Sequence, residues 1–188
     1  MKYRRAKVKG GTYFFTVVTN RRIKIFKNPN NVQFLRDAFK YVMNRHPFKI
    51  DAFVLLPDHL HCIWTMPHDD ADFSTRWRLI KSYFSRKLDR VGWVDEGNPT
   101  IQIGTSSRLN KKEKPIWQRR FWEHLIRDDA DFKRHVEYIH FNPVKHELAA
   151  SPKHWLNSSF HRYVNNGLYN LEWGAGTAIE FDKSVGYE

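Results

Sequence analysis

The sequence predicts an α+β domain of the ferredoxin-like, split βαβ kind, with a largely antiparallel sheet and helices packed on one face. Two observations predict it. Strand-like apolar runs and segments with helical apolar spacing follow one another as strand, helix, strand, strand, helix, strand, helix. The two middle strands are separated only by a Pro57-Asp58 turn, so they must be antiparallel neighbours.

Each element has its own signal. "GGTYFFTVVTN" (10–20) is aromatic and β-branched and opens at a glycine pair, which reads as a strand. The next segment begins at Pro29 and Asn30, carries Val32, Leu35, Phe39, Val42 and Met43 at helical spacing, and stops at Pro47. "FKIDAFVLLPDHLHCIWTMP" (48–67) reads as a hairpin whose second strand opens on two histidines. In 72–90, Phe73, Trp77, Ile80, Phe84 and Leu88 form an apolar stripe, with Arg76, Lys81, Arg86 and Lys87 opposite. Residues 92–114 lack any period and read as a surface loop, and 115–126 as a strand. Residues 128–142 form a helix with acidic residues in its first turn and Pro143 just past its end. We expect one domain over 1–174 and a C-terminal tail over 175–188.

Composition narrows the function. At 41% hydrophobic and 15% aromatic residues the chain should fold, and a net charge of +12 spread along its length suits a partner rich in phosphate. A single cysteine, Cys62, excludes an intramolecular disulfide and a CxxC zinc site, and we expect it to be a small core residue. The N-terminus lacks the apolar stretch of a secretory signal, no run approaches the about 18 residues of a membrane span, and the expected address is the cytoplasm.

Side chains alternate along a strand, so His59 and His61 share one face while Leu60 and Cys62 take the other. Two imidazoles on one face make a bidentate claw for a divalent metal, although such a pair alone fits a half-exposed polar strand as well. On the last helix, Tyr138 and Asn142 are four apart and share a face. They lie off the apolar stripe of Phe132, Val136 and Ile139, on a flank expected to be outside the core.

The runs "LLPDHLH", "WQRRFWEH" and "VEYIHFNPVKH", in that order, resemble the single-tyrosine HUH transposases, most closely the REP-associated tyrosine transposases. "GGTYFFTVVTNR" and "SSFHRYV" match as well, so the likeness runs from about residue 3 to about residue 174. The resemblance implies the HUH endonuclease fold, with His59 and His61 as the metal pair, Asn142 as third ligand and Tyr138 as nucleophile. The implied metal is Mg²⁺ or Mn²⁺. The implied reaction is transesterification on single-stranded DNA through a 5′-phosphotyrosine, on palindromic REP hairpins flanked by a tetranucleotide. Relatives act as homodimers or monomers, which leaves that choice open.

DNA contacts are sought among the basic residues, because counter-ion release rewards Lys and Arg along a groove. The candidates are Arg4, Arg5, Lys81, Arg86, Arg119, Arg120, Lys145 and His146. Arg119 and Arg120 would point to opposite faces if they sit in a strand, so only one of them would meet DNA. Trp117, Phe121 and Trp122 are expected in the core. Two other readings compete: a non-catalytic hairpin-binding regulator, and a hydrolase in which the histidines activate water. No carboxylate accompanies Tyr138 at helical spacing, which disfavours the second.

Overall fold

The structure, a computed structural model, describes residues 6–90, 116–176, 179–181 and 185–186. Arg4, Arg5 and the expected loop at 92–114 lie outside the described residues. Four strands, β1 (Thr12–Val18), β2 (Lys49–Leu55), β3 (His59–Thr65) and β4 (Trp122–Leu125), form one antiparallel sheet in the order β2-β3-β1-β4. The helices are α1 (Pro29–Met43), α2 (Phe73–Arg90), α3 (Asp129–Lys145) and the short α4 (Phe160–Asn165). The α+β class and the antiparallel sheet are as the sequence predicts.

The helices, however, cover both faces of the sheet rather than one. Tyr13, Phe15 and Val17 of β1 join Leu60, Cys62 and Trp64 of β3 under Leu35 and Phe39 of α1 and Trp77, Ile80 and Phe84 of α2. On the opposite face Phe14, Ala52, Val54 and Ile63 pack against Val136, Tyr138 and Ile139 of α3. The cause lies in the strands: six of the seven residues of β1 and six of the seven of β3 are buried, so neither face of this sheet tolerates water. Cys62, Trp117 and Phe121 lie in or against the first cluster and Trp122 against the second.

Local chemistry sets the element ends. The Asn28 side chain accepts from Asn30 N at 2.9 Å, capping α1, and the Asp128 carboxylate accepts from Asp131 N at 2.8 Å, capping α3. The free edge of β2 is closed by the segment before α4, with Leu55 N donating to Asn157 O and Ser159 N to Phe53 O, both at 2.8 Å. Arg76, expected on the exposed basic side of α2, is buried instead. Its guanidinium donates to the Asp70 carboxylate and to the carbonyls of His46, Pro47 and Asp72, which ties α2 to the turn after α1. The strand expected over 115–126 shrinks to β4, with Trp117 bridging Thr19 before it. No described helix is long and apolar enough to cross a membrane.

His140 of α3 is fully buried, its Nε2 2.8 Å from the Ser159 hydroxyl. Burial, helped by the nearby Arg162 charge, lowers its pKa from 6.5 to about 3. The unfolded chain therefore takes up a proton that the folded chain refuses, and stability should fall as pH drops from the ordinary histidine range towards 3. The slope from this group is at most about 1.4 kcal/mol per pH unit. Urea midpoints at pH 7 and 4.5 should show the loss, and His140→Gln should have a shallower one.

Candidate active site

The pairing of β1 with β3 sets Thr16 opposite His61 and Val18 opposite His59, so both histidines face α3. They are buried, with ring centroids 5.0 Å apart. The helix docks directly on them. Tyr138 lies edge-on to His61 at 5.3 Å, and His146, just past the helix end, lies edge-on to His59 at the same distance. Tyr138, Asn142 and His146 are spaced four apart, so Asn142 lies between two contacts that straddle the histidine pair.

Two expectations about this helix need correction. Tyr138 and Asn142 are not on an outer flank: they are 1% and 0% exposed. The helix is buried on nearly all sides in its second half, because the segments after it pack over the side that the apolar stripe leaves open. Nor does Pro143 end the helix, which runs on to Lys145. Proline removes one donor only, and its carbonyl still accepts from Leu148 N at 2.8 Å. That extra turn holds Lys145 and His146 beside the site.

Each histidine is oriented by a neighbour. His59 Nδ1 lies 2.6 Å from Asp58 Oδ1, and His61 Nδ1 lies 2.9 Å from the Thr16 hydroxyl. Burial disfavours the Asp58 charge, but the His59 hydrogen bond and the Arg22 guanidinium at 3.3 Å outweigh it and hold the carboxyl below its usual range. An ionised Asp58 accepts the Nδ1 proton, which makes Nε2 of His59 the nitrogen with the donor lone pair. Two oriented imidazoles and an amide oxygen fit a divalent ion with open positions for phosphate oxygens. Beside them the Lys145 ammonium donates to the Tyr138 hydroxyl at 3.1 Å and lies 4.8 Å from its ring centre.

The segment expected as a tail reaches the same tyrosine. Tyr138 donates to the Gly186 carbonyl at 3.3 Å, Phe181 meets its ring edge-on at 5.4 Å, and Val185 is buried in the same cluster.

The proposed DNA contacts divide. Lys145 and His146 are at the site, as above. Lys81 donates to Gln118 O at 3.0 Å and sits near the Trp117 and Phe121 rings, on the α2 side of the molecule. Arg86 is exposed on the same helix. Arg119 and Arg120 precede β4 and are both exposed, so the opposite-face limit of a strand does not apply to them. Sequence reasoning missed Asp58, Thr16, Phe181 and Gly186. Asp58 was detectable as the carboxylate next to His59, whereas the other three meet the site only through the tertiary fold.

The chain is similar to known proteins over nearly its whole length. A family described as "Transposase IS200 like" matches residues 7–92. The REP-associated tyrosine transposase of Escherichia coli is 42% identical over 96% of this chain and 94% of its own. The chain belongs to the REP-associated tyrosine transposases. A Haemophilus influenzae protein under the same family name is 40% identical over 97% of this chain and 98% of its own. A solved REP-associated tyrosine transposase, bound to a REP hairpin, matches with a TM-score of 0.78 and 41% identity, covering 100% of this chain and 98% of that one.

Gly186 has φ +73°, and a Cβ there would stand 2.0 Å from Tyr138 Cζ. Gly186→Ala should therefore lift this segment from the tyrosine. The rate of Tyr138 nitration by tetranitromethane, followed by peptide mass spectrometry, should rise several-fold over the parent chain.

Proposed function

We propose that this chain is a metal-dependent single-stranded DNA endonuclease and strand transferase acting on REP-type palindromic hairpins with their flanking tetranucleotide. The observation that carries the reading is the docking of α3 on β3, which brings the Tyr138 ring to 5.3 Å from the His61 ring and the His146 ring to 5.3 Å from the His59 ring, with buried Asn142 between them on the same helix face.

The chain's residues then have separate tasks. The Tyr138 oxygen attacks the scissile phosphorus, the phosphorus bond to the 3′-oxygen breaks, and a 5′-phosphotyrosine and a free 3′-OH result. A phenol is a weak nucleophile with a pKa of about 10, so it needs help. The Lys145 ammonium, already hydrogen-bonded to that oxygen, favours the phenolate as the proton departs. His59, His61 and Asn142 would hold Mg²⁺ or Mn²⁺, which when bound supplies neutralisation and polarisation of the phosphate. Asp58 and Thr16 keep the two imidazoles turned towards that position. Rejoining is the same step reversed, with a 3′-OH attacking the phosphotyrosine, and it needs no ATP.

Binding rests on charge. Arg86, Arg119 and Arg120 are exposed, Lys81 lies at the same side, and the net charge of +12 supports a polyanionic partner. Arg4 and Arg5 belong to the same proposal. A DNA substrate of this kind places the protein in the cytoplasm, at the nucleoid.

One observation favours a second reading, a hairpin-binding regulator without cleavage: the Gly186 segment lies on Tyr138. The two readings part in one assay. With Mn²⁺ and a hairpin oligonucleotide the enzyme should form a protein–DNA adduct that survives denaturation, and Tyr138→Phe should lower it by at least about 10³-fold. Hairpin binding without any adduct, in Gly186→Ala as well as the parent, would sink the enzymatic reading. Asp58→Asn should leave hairpin binding intact and raise the Mn²⁺ concentration for half-maximal adduct formation by about 10- to 100-fold.

A further inference from the structure

Away from the histidine pair, β4 and the first turns of α3 bring a second group of metal-ligating side chains together. One nitrogen each from His124 and His135 and one carboxylate oxygen of Asp131 lie within 4.8 Å of one another. His124 Nε2 is 2.7 Å from Asp131 Oδ2, and His135 Nδ1 is 3.1 Å from Asp131 Oδ1. The two imidazoles stack at 17° with centroids 4.7 Å apart, so both turn an edge towards the same carboxylate. The Phe14 ring, 4.8 Å from His135 and 5.5 Å from His61, separates this group from the candidate active site.

We propose that His124, Asp131 and His135 form a Zn²⁺ site that ties the edge strand β4 to the helix carrying Tyr138. Two imidazoles and a carboxylate are a common zinc donor set, and late first-row ions outcompete Mg²⁺ and Mn²⁺ for nitrogen ligands. The His124 side chain is 19% exposed, which gives an ion its way in.

A triad held by hydrogen bonds alone leaves this place incomplete. His135 is 2% exposed; its Nδ1 donates to the Asp131 carbonyl at 2.8 Å, which leaves the ring's lone pair on Nε2, and that buried nitrogen has no hydrogen-bond partner among the described residues. The Arg134 guanidinium, 3.5 Å from Asp131 Oδ1, is 55% exposed and is free to turn into solvent when a cation takes its place.

The test separates this site from the other one. The full-length chain carrying His59→Ala and His61→Ala is stripped with EDTA, dialysed, and loaded with Zn²⁺ or Co²⁺. It should retain one equivalent of zinc by elemental analysis and show the strong visible bands of four-coordinate Co²⁺. Adding His124→Ala should remove both signals with an unchanged far-UV circular dichroism spectrum, and His124→Cys should restore them. In the otherwise native chain His124→Ala should lower bound zinc by one equivalent. Retention of the ion and the Co²⁺ bands without His124, or no zinc bound by the His59→Ala/His61→Ala chain, would overturn the proposal.

Discussion

The docking of α3 on the histidine face of the sheet is the contact on which the rest of this molecule depends. It buries two imidazoles, a phenol and an amide side by side, and such groups cost roughly 1–3 kcal/mol each when left without partners. The fold supplies the partners from different elements: Asp58 from the hairpin turn, Thr16 from the neighbouring strand, Lys145 from the last turn of the helix itself. Phe14 packs against His61, His135 and Tyr138 at once, so a single aromatic ring sets the spacing between sheet and helix. A helix displaced along the sheet would strand these polar groups, which makes the register of the docking specific as well as favourable.

The architecture around that contact follows from the need to cover both sides of β1 and β3. The face away from the site is a dense aromatic layer in which Phe15, Trp64, Phe73 and Trp77 meet at centroid distances of 4.2–5.5 Å. It contains no part of the candidate chemistry and acts as the rigid backing of the strand that carries the histidines. Sites whose groups must hold position to within about 0.5 Å are best built on such elements. The tertiary closure of β2 by residues 157–159 serves the same end, because an open edge would leave the hairpin that carries the histidines free to breathe.

Much of this was legible in the sequence, and the parts that were not have physical reasons. Periodicity located α1, α2, α3 and three of the four strands well, because α1, α2 and β1–β3 each bury a regular apolar pattern, whereas the six-residue α4 is too short to show a period. The alternation that put His59 and His61 on one face and Leu60 and Cys62 on the other is a property of any strand. The burial of Tyr138 was not legible, since the amphipathic reading of α3 assumes that one flank stays wet, and that flank is held between the sheet residues Phe14 and His61 and the later residues Phe181 and Gly186. The two-sided covering of the sheet was missed for the same reason. Arg76 read as surface because charge normally is, yet four acceptors from two loops make its burial tolerable.

Pro143 shows how local grammar and tertiary structure are weighed. As a helix stop it would leave Lys145 and His146 in a loop of undefined path. Packing instead holds the helix through it: Asn142 O still accepts from His146 N at 3.0 Å, and Pro143 O from Leu148 N at 2.8 Å. Only the bond that a donor at 143 would make is lost, a cost of about 1 kcal/mol in hydrogen bonding that the buried contacts of Asn142 and Pro143 itself offset. The consequence reaches the chemistry. Lys145 is seven residues, two turns, beyond Tyr138, so its ammonium lies along the same helix face as the phenol it bonds. A helix ending at Asn142 would hold the tyrosine and amide in place but leave the phenol without its cation.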